Sequence, residues 1–178
     1  MQGKEEMIYE IECPDKDYDL ILKEYKEIPL TQGKVALVDT EDYDYLNQWK
    51  WFTFKCRNTN YATRKYQGKM LLMHRYIMKP SFDMQIDHIN MDGLDNRRDN
   101  LRICYHVQNL MNTKKHFDNT SGYKGVCYHK LKRKWVVRIN VNKKQIHLGY
   151  FIEKEDAALV YNEAALKYHG EFARLNCI

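Results

Sequence analysis

One short stretch of the chain concentrates side chains that can carry out hydrolysis. Asp87 and His88 are adjacent, and Asn100 and Asn109 follow them in order. Carboxylate and amide oxygens are hard ligands of the kind that magnesium and manganese prefer. A neutral histidine can take the proton from an attacking water, and an amide can hold that imidazole in one orientation and tautomer. The stretch therefore suits metal-assisted phosphodiester hydrolysis, with Asp87 and Asn109 as metal ligands, His88 as general base and Asn100 as the group that orients it.

The surrounding residues predict the elements that hold this site. Ile86 indicates a strand that ends at a loop built on Asp92-Gly93, because Asp-Gly is a turn signal. Leu101 and Ile103 indicate a returning strand, and residues 105–112 favour a helix. The predicted unit is strand, loop, strand, helix.

Each of these residues taken alone has a simpler explanation. A lone histidine is usually a surface or packing residue, and Asn or Asp near glycine is usual in turns. The neighbouring arginines could clamp DNA phosphates or could be solvated surface residues. It is the combination that favours a catalytic site. The arginines are Arg97, Arg98 and Arg102.

The order Asp-His, then Asn twelve positions after the His, then Asn nine positions later, with His74-Arg75 upstream, resembles the HNH nucleases of phage and homing-endonuclease type. The resemblance implies that Asp87 and Asn109 bind the metal, that His88 is the general base and that Asn100 positions it. The third letter is Asn instead of His. Because an amide oxygen binds a hard cation, this substitution favours magnesium-type chemistry over zinc.

Charge is sorted along the chain. Residues 1–47 contain 5 basic and 13 acidic side chains, whereas residues 48–178 contain 24 basic and 11 acidic ones. Ten of the basic residues and a single acid lie between Lys114 and His147. Such a surface favours a polyanionic partner, and a solvated face is the alternative.

This basic region has the pattern of a small domain. Three β-prone runs, 123–129, 134–142 and 144–151, predict an antiparallel sheet, and the helical spacing over 153–168 predicts a helix packed on it. The sheet face turned away from the helix is expected to be polar, basic and free of acids. The candidate DNA-binding residues are Lys124, His129, Lys130, Lys132, Arg133, Lys134, Arg138, Asn140, Lys143, Lys144, Gln145 and His147.

Several segments of this region resemble the plant APETALA2-type, or ethylene-response-factor, DNA-binding domain. The segments are 121–126, 134–139, 147–151, 157–165 and 170–176. Domains of that family lay a three-stranded sheet in the major groove, and the type is known fused to HNH nucleases. The resemblance implies that this region reads DNA. Some of the family's groove-reading arginines are replaced here, so it implies no target sequence.

Together these patterns predict an α+β protein. An acidic arm covers residues 1–27, a small N-terminal sheet and the strand-strand-helix nuclease unit cover 28–113, a polar linker covers 114–121, and a three-stranded antiparallel sheet packed on one helix covers 122–178. Within the small sheet region we expect a strand near Val35, a helix over 42–49 and two strands joined at Gln67-Gly68.

The composition also limits the cellular setting. No run of about 18 apolar residues predicts a membrane span, and the acidic N-terminus does not resemble a signal peptide. We therefore expect a cytoplasmic protein, and the HNH resemblance implies a phage or its bacterial host as the source. The five cysteines are never spaced as C-x-x-C, so no zinc knuckle is predicted.

The predicted function is a site-directed DNA endonuclease that uses magnesium or manganese. Its expected partner is double-stranded DNA, and no obligatory protein partner is indicated. One alternative is a DNA-binding regulator with an inactive nuclease unit, against which the four chemically competent site residues argue. The other is an RNA-binding protein, which the order of three strands and one helix fits poorly.

Overall fold

A computed structural model describes residues 24–57 and 59–178. The described residues up to Thr113 form one compact unit, and those from Lys114 to Ile178 belong to a second. Both units combine short helices with small antiparallel sheets, which confirms the predicted α+β class. Residues 1–23 of the predicted acidic arm lie outside the described residues. Nowhere in the described ranges is there a helix with the length and hydropathy needed to cross a membrane.

The first unit begins with a two-stranded sheet. β1 (Tyr25–Pro29) pairs antiparallel with β2 (Val35–Asp39). β1 starts inside the stretch that the sequence assigned to the arm, because its Ile28 is buried opposite Ala36 and draws the flanking residues into the pairing.

The first helix, α1 (Thr40–Leu46), follows β2 without a break. The sequence predicted this helix over residues 42–49. It ends earlier because the Trp51 indole N–H donates to the Leu46 carbonyl at 2.9 Å, which satisfies a carbonyl at the helix end.

A three-stranded antiparallel sheet comes next. Its strands are β3 (Phe52–Cys56), β4 (Thr59–Tyr66) and β5 (Lys69–Leu72), in that spatial order. Gln67 and Gly68 join β4 to β5 with φ of 48° and 74°, as a two-residue hairpin turn requires. The predicted hairpin is confirmed, and β3 is an additional strand that the sequence pattern did not show.

The helix α2 (Met73–Met78) packs on β4 and helps to close one hydrophobic core. This core joins the two sheets described above to the strands that carry the candidate site. Its buried members are Ile28, Ala36, Val38, Leu46, Trp51, Ala62, Met73, Ile77, Ile86 and Leu101.

The predicted strand-loop-strand-helix unit is confirmed. β6 (Gln85–His88) pairs antiparallel with β7 (Leu101–Cys104), and α3 (His106–Met111) follows. Asp87 lies directly opposite Arg102 in this pairing.

The loop between β6 and β7 is held by backbone hydrogen bonds to β2. The Leu37 N–H donates to the Leu94 carbonyl at 2.9 Å, and the Asn96 N–H donates to the Leu37 carbonyl at 2.8 Å. The loop is therefore fixed at its centre as well as at its ends.

The second unit is the predicted three-stranded sheet with one helix. β8 (Val126–His129), β9 (Lys134–Val141) and β10 (Lys144–Phe151) form an antiparallel sheet with β9 in the middle. α4 (Lys154–His169) packs across it. The core residues shared by sheet and helix are Val126, Val137, Ile139, Ala157, Ala158, Tyr161, Ala164 and Ala165.

Close packing in this unit depends on Gly125. A Cβ at this position would lie 2.1 Å from the Tyr161 ring, and the residue has a φ of 76°. Two residues of the predicted linker also pack here, because Ser121 Oγ donates to the Val126 carbonyl at 2.8 Å and Asn119 Nδ2 donates to the Tyr123 carbonyl at 2.8 Å.

Candidate functional site

Asp87 and His88 end β6 and have separate surroundings, as expected for neighbouring residues on a strand. Asp87 contacts Arg102 and Asn112, whereas His88 contacts the rings of His74 and Tyr61. The two side chains are only 5% and 6% exposed. The candidate site therefore contains a buried carboxylate and a buried imidazole on adjacent residues.

The Asp87 carboxylate is held by donors from two elements. Arg102, its partner across β6 and β7, donates to Oδ2 from Nε at 2.9 Å and from Nη2 at 2.6 Å. Asn112, the residue directly after α3, donates from Nδ2 to Oδ1 at 3.0 Å and to Oδ2 at 3.1 Å. These bonds fix the carboxylate and partly neutralise its charge.

The Asn112 amide also spans the end of β6. Its Nδ2 lies 3.1 Å from the His88 carbonyl and 3.2 Å from the Ile89 carbonyl. One amide nitrogen therefore faces four oxygen atoms, and it ties the end of α3 to the residues that carry the site.

The side chain of the predicted metal ligand Asn109 hydrogen-bonds with Gln85 and not with Asp87. Its Nδ2 donates to Gln85 Oε1 at 2.8 Å, and Gln85 also lies 3.1 Å from His106 Nδ1. Asn109 and Asn112 are three residues apart on the chain, and Gln85 and Asp87 are two apart on a strand. The two amides therefore bond with different residues of β6: Asn109 with Gln85, and Asn112 with Asp87.

The His88 imidazole is buried beside the Asn96 amide. Among the described residues, neither His88 Nε2 nor Asn96 Oδ1 has a hydrogen-bond partner of good geometry, yet the Asn96 side chain acts on the ring as a hydrogen-bond partner. Burial lowers the pKa of His88, and the Asn96 amide and the Asp87 carboxylate oppose that shift. A lowered pKa keeps the imidazole neutral near pH 7, which is the form that accepts a proton.

His74 and Tyr61 form an aromatic wall beside His88. The His74 ring is edge-on to the His88 ring at a centroid distance of 4.9 Å, and the Tyr61 ring lies 5.9 Å from His88. Burial, with smaller contributions from His88 and Arg75, lowers the pKa of His74 to about 3. His74 is therefore neutral at every pH at which the protein is expected to work.

The hydrogen bonds of the Asn100 side chain go to the loop after His88 and not to the His88 ring. Its Nδ2 donates to Asn90 Oδ1 at 3.0 Å and to the Asp95 carbonyl at 2.8 Å, and its Oδ1 accepts from the Asn90 N–H at 3.0 Å. Its carbonyl accepts from the Ile89 N–H at 2.9 Å. Asn100 thus braces the loop after His88, so any effect on the base is exerted through the backbone. The amide that influences His88 is Asn96.

The three arginines predicted to clamp DNA phosphates are all held in ion pairs within the first unit. Arg97 forms two bonds with Asp95, at 2.8 and 2.7 Å, and Arg98 forms two with Asp42, at 2.8 and 2.7 Å. Arg102 pairs with Asp87 as described above. Any phosphate contact would therefore be made by an arginine whose charge a carboxylate already balances.

A group of carboxylates surrounds Arg98 at the start of α1. Asp39, Glu41 and Asp42 have ligand atoms within 4.8 Å of one another, which is close enough for a metal ion. The Arg98 N–H donates to Asp39 Oδ2 at 2.8 Å, and its guanidinium pairs with Glu41 at 3.4 Å. In this structure Arg98 therefore serves as the hydrogen-bond and ion-pair partner of these three carboxylates.

The second unit exposes the predicted polar face of its sheet. Arg138 is paired with His147 and Asn140 with Gln145 across β9 and β10, so the four side chains share one face, and all are exposed. Val136 of the same face is buried. The other predicted DNA-binding residues that are exposed lie in the two turns and at the start of β9: Lys130, Lys132, Arg133, Lys134, Lys143 and Lys144.

Two of the predicted DNA-binding residues of the second unit are partly buried. His129 Nδ1 accepts from the Lys132 N–H at 3.2 Å. Burial lowers the pKa of Lys124 to about 8, and the nearby charge of Arg174 adds to the shift. The Lys124 N–H and carbonyl also bond with Asn176, which lies close to the end of the chain. Both residues therefore take part in the packing of the unit.

Comparison with known proteins gives two informative relatives. An uncharacterized HNH endonuclease of Acanthamoeba polyphaga mimivirus is 29% identical over 153 residues, which cover 83% of this chain and 77% of that protein. Protein 3.8 of Escherichia phage T7 is 34% identical over 89 residues, which cover 50% of this chain and 73% of that protein.

The chain belongs to the family of phage T7 protein 3.8. Over most of its length it is also similar to an HNH endonuclease, in agreement with the nuclease resemblance of the Asp87-His88 stretch. Both relatives are viral proteins. No family model and no solved structure matches the chain.

Proposed function

We propose that the protein is a metal-dependent DNA endonuclease of HNH type. Its active site is built around Asp87 and His88, and its second unit reads the target sequence. The observation that carries the proposal is the buried His88 imidazole, which has a lowered pKa and directly follows the buried Asp87 carboxylate on β6. The similarity to an HNH endonuclease over 83% of the chain supports the same chemistry.

His88 acts as the general base in this proposal. A water bound at the neutral ring would lose its proton to the imidazole as it attacks phosphorus. The edge-on His74 ring and the Tyr61 ring restrict the orientation of the imidazole. Because burial also keeps His74 neutral, His74 adds no positive charge that would oppose protonation of His88.

The residues around Asp87 suit a hard divalent cation. The Asp87 carboxylate and the carbonyls of His88 and Ile89 place four oxygens within 3.2 Å of Asn112 Nδ2. If the Asn112 amide rotated by half a turn, its oxygen would take the place of Nδ2. The site would then be surrounded by oxygen atoms alone, an arrangement that is favourable only around a cation. Asp87 with the amide of Asn112, or of Asn109 as the HNH resemblance implies, would hold magnesium or manganese.

The bound ion would stabilise negative charge on the leaving 3′ oxygen of the cleaved strand. The chain itself contributes rigidity. Arg102 and Asn112 fix the carboxylate from two elements, and Asn100 fixes the loop that follows His88. A site held in this way undergoes little reorganisation when charge develops at the phosphate.

The second unit supplies sequence preference in this proposal. Its exposed face presents Arg138, Asn140, Gln145 and His147, which are side chains that can form hydrogen bonds with base edges. The turn lysines at either end of that face can meet phosphates. Double-stranded DNA is therefore the proposed substrate, as the APETALA2-type resemblance also implies.

A plasmid assay tests the proposed function. The full chain is incubated with supercoiled plasmid that carries the DNA flanking its own gene, with magnesium, with manganese and with EDTA. We expect nicked or linear product with either metal and none with EDTA. DNA binding without cleavage under every metal condition would instead indicate a regulator with an inactive nuclease unit.

A further inference from the structure

One turn lysine of the second unit is held over an aromatic ring. Lys132 is exposed in the turn between β8 and β9, and its Nζ lies 3.8 Å from the centroid of the Tyr150 ring on β10. At this distance the negative face of the ring attracts an ammonium group. Within the described residues, Lys143 and Lys144 have no such contact with a ring. Lys132 therefore differs from the lysines at the other turn of the sheet.

Strand pairing places Tyr150 on the exposed polar face of the sheet. Tyr150 pairs with Val136 of β9. His147 pairs with Arg138, two residues further along β9 and on the same side of the sheet. The register shifts between His147 and Gly149, and this bulge lets His147 and Tyr150 share a face although they are three residues apart. The Tyr150 ring thus belongs to the face that carries Arg138.

The Tyr150 ring lies across the sheet. Its centroid is 4.6 Å from the ring of His147 on its own strand and 5.6 Å from the ring of His129 on β8. β9 separates β8 from β10, and neighbouring strands are about 4.8 Å apart, so the two rings approach each other over β9. Val136, the β9 residue paired with Tyr150, is 1% exposed, as expected beneath such rings. The ammonium group over Tyr150 is therefore held above the face and not at its edge.

The backbone of Lys132 is fixed as well. Its N–H donates to His129 Nδ1 at 3.2 Å. The next residue, Arg133, has a φ of 51°, and its N–H donates to the Lys130 carbonyl at 3.3 Å, which closes the turn. Lys132 is thus held at its backbone by His129 and at its side chain by Tyr150. A side chain held in this way has less conformational freedom to lose when it binds a ligand.

We propose that Lys132 contacts the base edge of a guanine and that Tyr150 is the residue that positions its ammonium group. Guanine presents two acceptors, O6 and N7, in the major groove, and lysine is one of the side chains that bind them. The inference rests on the proposed DNA-reading function of the second unit. It assigns Lys132 to a base, whereas the other turn lysines meet phosphates.

The surroundings of Lys132 favour this contact. Residues 126–151 contain no Asp or Glu, so no carboxylate of the three strands competes for the ammonium group. Arg138 is two residues along β9 from Val136, which corresponds to about 7 Å at roughly 3.3 Å per residue. That length is about two base-pair steps of DNA. Lys132 and Arg138 can therefore contact bases within one stretch of the groove.

A randomised duplex library measures the preference for each base. The full chain and Lys132→Gln are incubated with the library in EDTA, and the bound duplexes are sequenced. We expect Lys132→Gln to lower the guanine preference at one position by at least about fivefold, the lower end for a good pair of hydrogen bonds to one base. Preferences at the other positions should remain. Lys143→Gln is the matched control, since it removes a turn lysine without a ring contact and should weaken binding to all sequences equally.

Two substitutions of Tyr150 test the positioning. Tyr150→Phe keeps an aromatic ring under the ammonium group and should keep the guanine preference. Tyr150→Leu removes the ring and should lower that preference as Lys132→Gln does. In the duplex that the full chain prefers, 7-deazaguanine at the same position removes the N7 acceptor. It should weaken binding by the full chain and leave binding by Lys132→Gln unchanged.

The outcomes separate this contact from the nuclease activity. A base profile of Lys132→Gln equal to that of the full chain, or a uniform loss like that of Lys143→Gln, would overturn the guanine contact. A full chain with no base preference would overturn it too. Equal preferences in Tyr150→Leu and Tyr150→Phe would remove Tyr150 from the positioning role. Selective binding without plasmid cleavage in magnesium or manganese would reject the nuclease and leave the contact standing.

Discussion

The Asn112 amide donates from Nδ2 to both oxygens of the Asp87 carboxylate, at 3.0 and 3.1 Å. The Asn109 amide instead donates to Gln85, two residues before Asp87 on β6. In the proposed metal site, Asn112 is therefore the alternative to Asn109 as the second oxygen-bearing side chain.

This contact predicts different metal requirements for two matched variants. Asn112→Ala removes the amide beside Asp87 and should raise the magnesium concentration needed for half-maximal cleavage by at least about tenfold, the usual scale for losing a group that supports a metal site. Asn109→Ala should raise it less. A metal titration of plasmid cleavage measures both. A larger shift for Asn109→Ala would show that the sequence-based ligand is the correct one.

How much of this site follows from sequence can be argued from the same residues. Ile86, the Asp92-Gly93 turn, and Leu101 with Ile103 correctly predict the strand-loop-strand-helix unit, because local patterns determine local elements. The choice between Asn109 and Asn112 depends on how α3 lies on β6, which is a tertiary relationship. The spacing of three residues did contain a signal, since both amides lie about one helical turn apart.

The loop arginines show a similar limit. Arg97, Arg98 and Arg102 look like phosphate contacts in the sequence because they flank the site. In the fold, each meets a carboxylate, and the partner of Arg98 is Asp42, which is 56 positions away in sequence. His74 likewise reaches His88 only through the packing of α2. Pairings of this kind require the three-dimensional arrangement.

His74 predicts acid sensitivity of the fold. Burial lowers its pKa from the ordinary 6.5 to about 3. Below about pH 6.5 the unfolded chain binds a proton on this ring that the folded chain does not, so stability falls as pH falls from 6.5 towards 3. The loss is at most about 1.4 kcal/mol per pH unit from this group. Urea unfolding at pH 7, 6 and 5 should show a smaller pH dependence in His74→Gln. Equal dependence in both proteins would contradict the assignment.

Gly93 predicts a steric requirement of the loop. A Cβ there would lie 2.4 Å from the Asn60 carbonyl oxygen and 2.7 Å from the Tyr61 ring. Gly93→Ala should therefore displace the loop, destabilise the protein by about 1–3 kcal/mol and reduce cleavage. Gly68→Ala is the control, because its Cβ would meet no atom within 4 Å and only its positive φ is strained. Thermal unfolding that ranks Gly68→Ala as the more damaging change would argue against this packing.

The exposed face of the second unit predicts two kinds of binding defect. Asn140→Ala should cost about 1–3 kcal/mol at one base position and relax preference there. Lys143→Ala should weaken binding to all sequences and lower the salt slope by about one unit. Binding to a library of single-base variants of the target separates the two effects. Identical profiles for the two variants would indicate that the face does not read bases.

The central claim is that His88 performs the chemistry at a site where Asp87 is fixed beside it. The most direct measurement is single-turnover cleavage of the plasmid target at neutral pH by His88→Ala, with DNA affinity measured in parallel. His116→Ala, which removes an exposed histidine of the second unit, is the control. We expect His88→Ala to lower the cleavage rate by a factor of about 100 to 10,000, the range for losing a general base, with nearly unchanged affinity. A cleavage rate equal to that of His116→Ala, or a loss of cleavage matched by an equal loss of binding, would contradict the account.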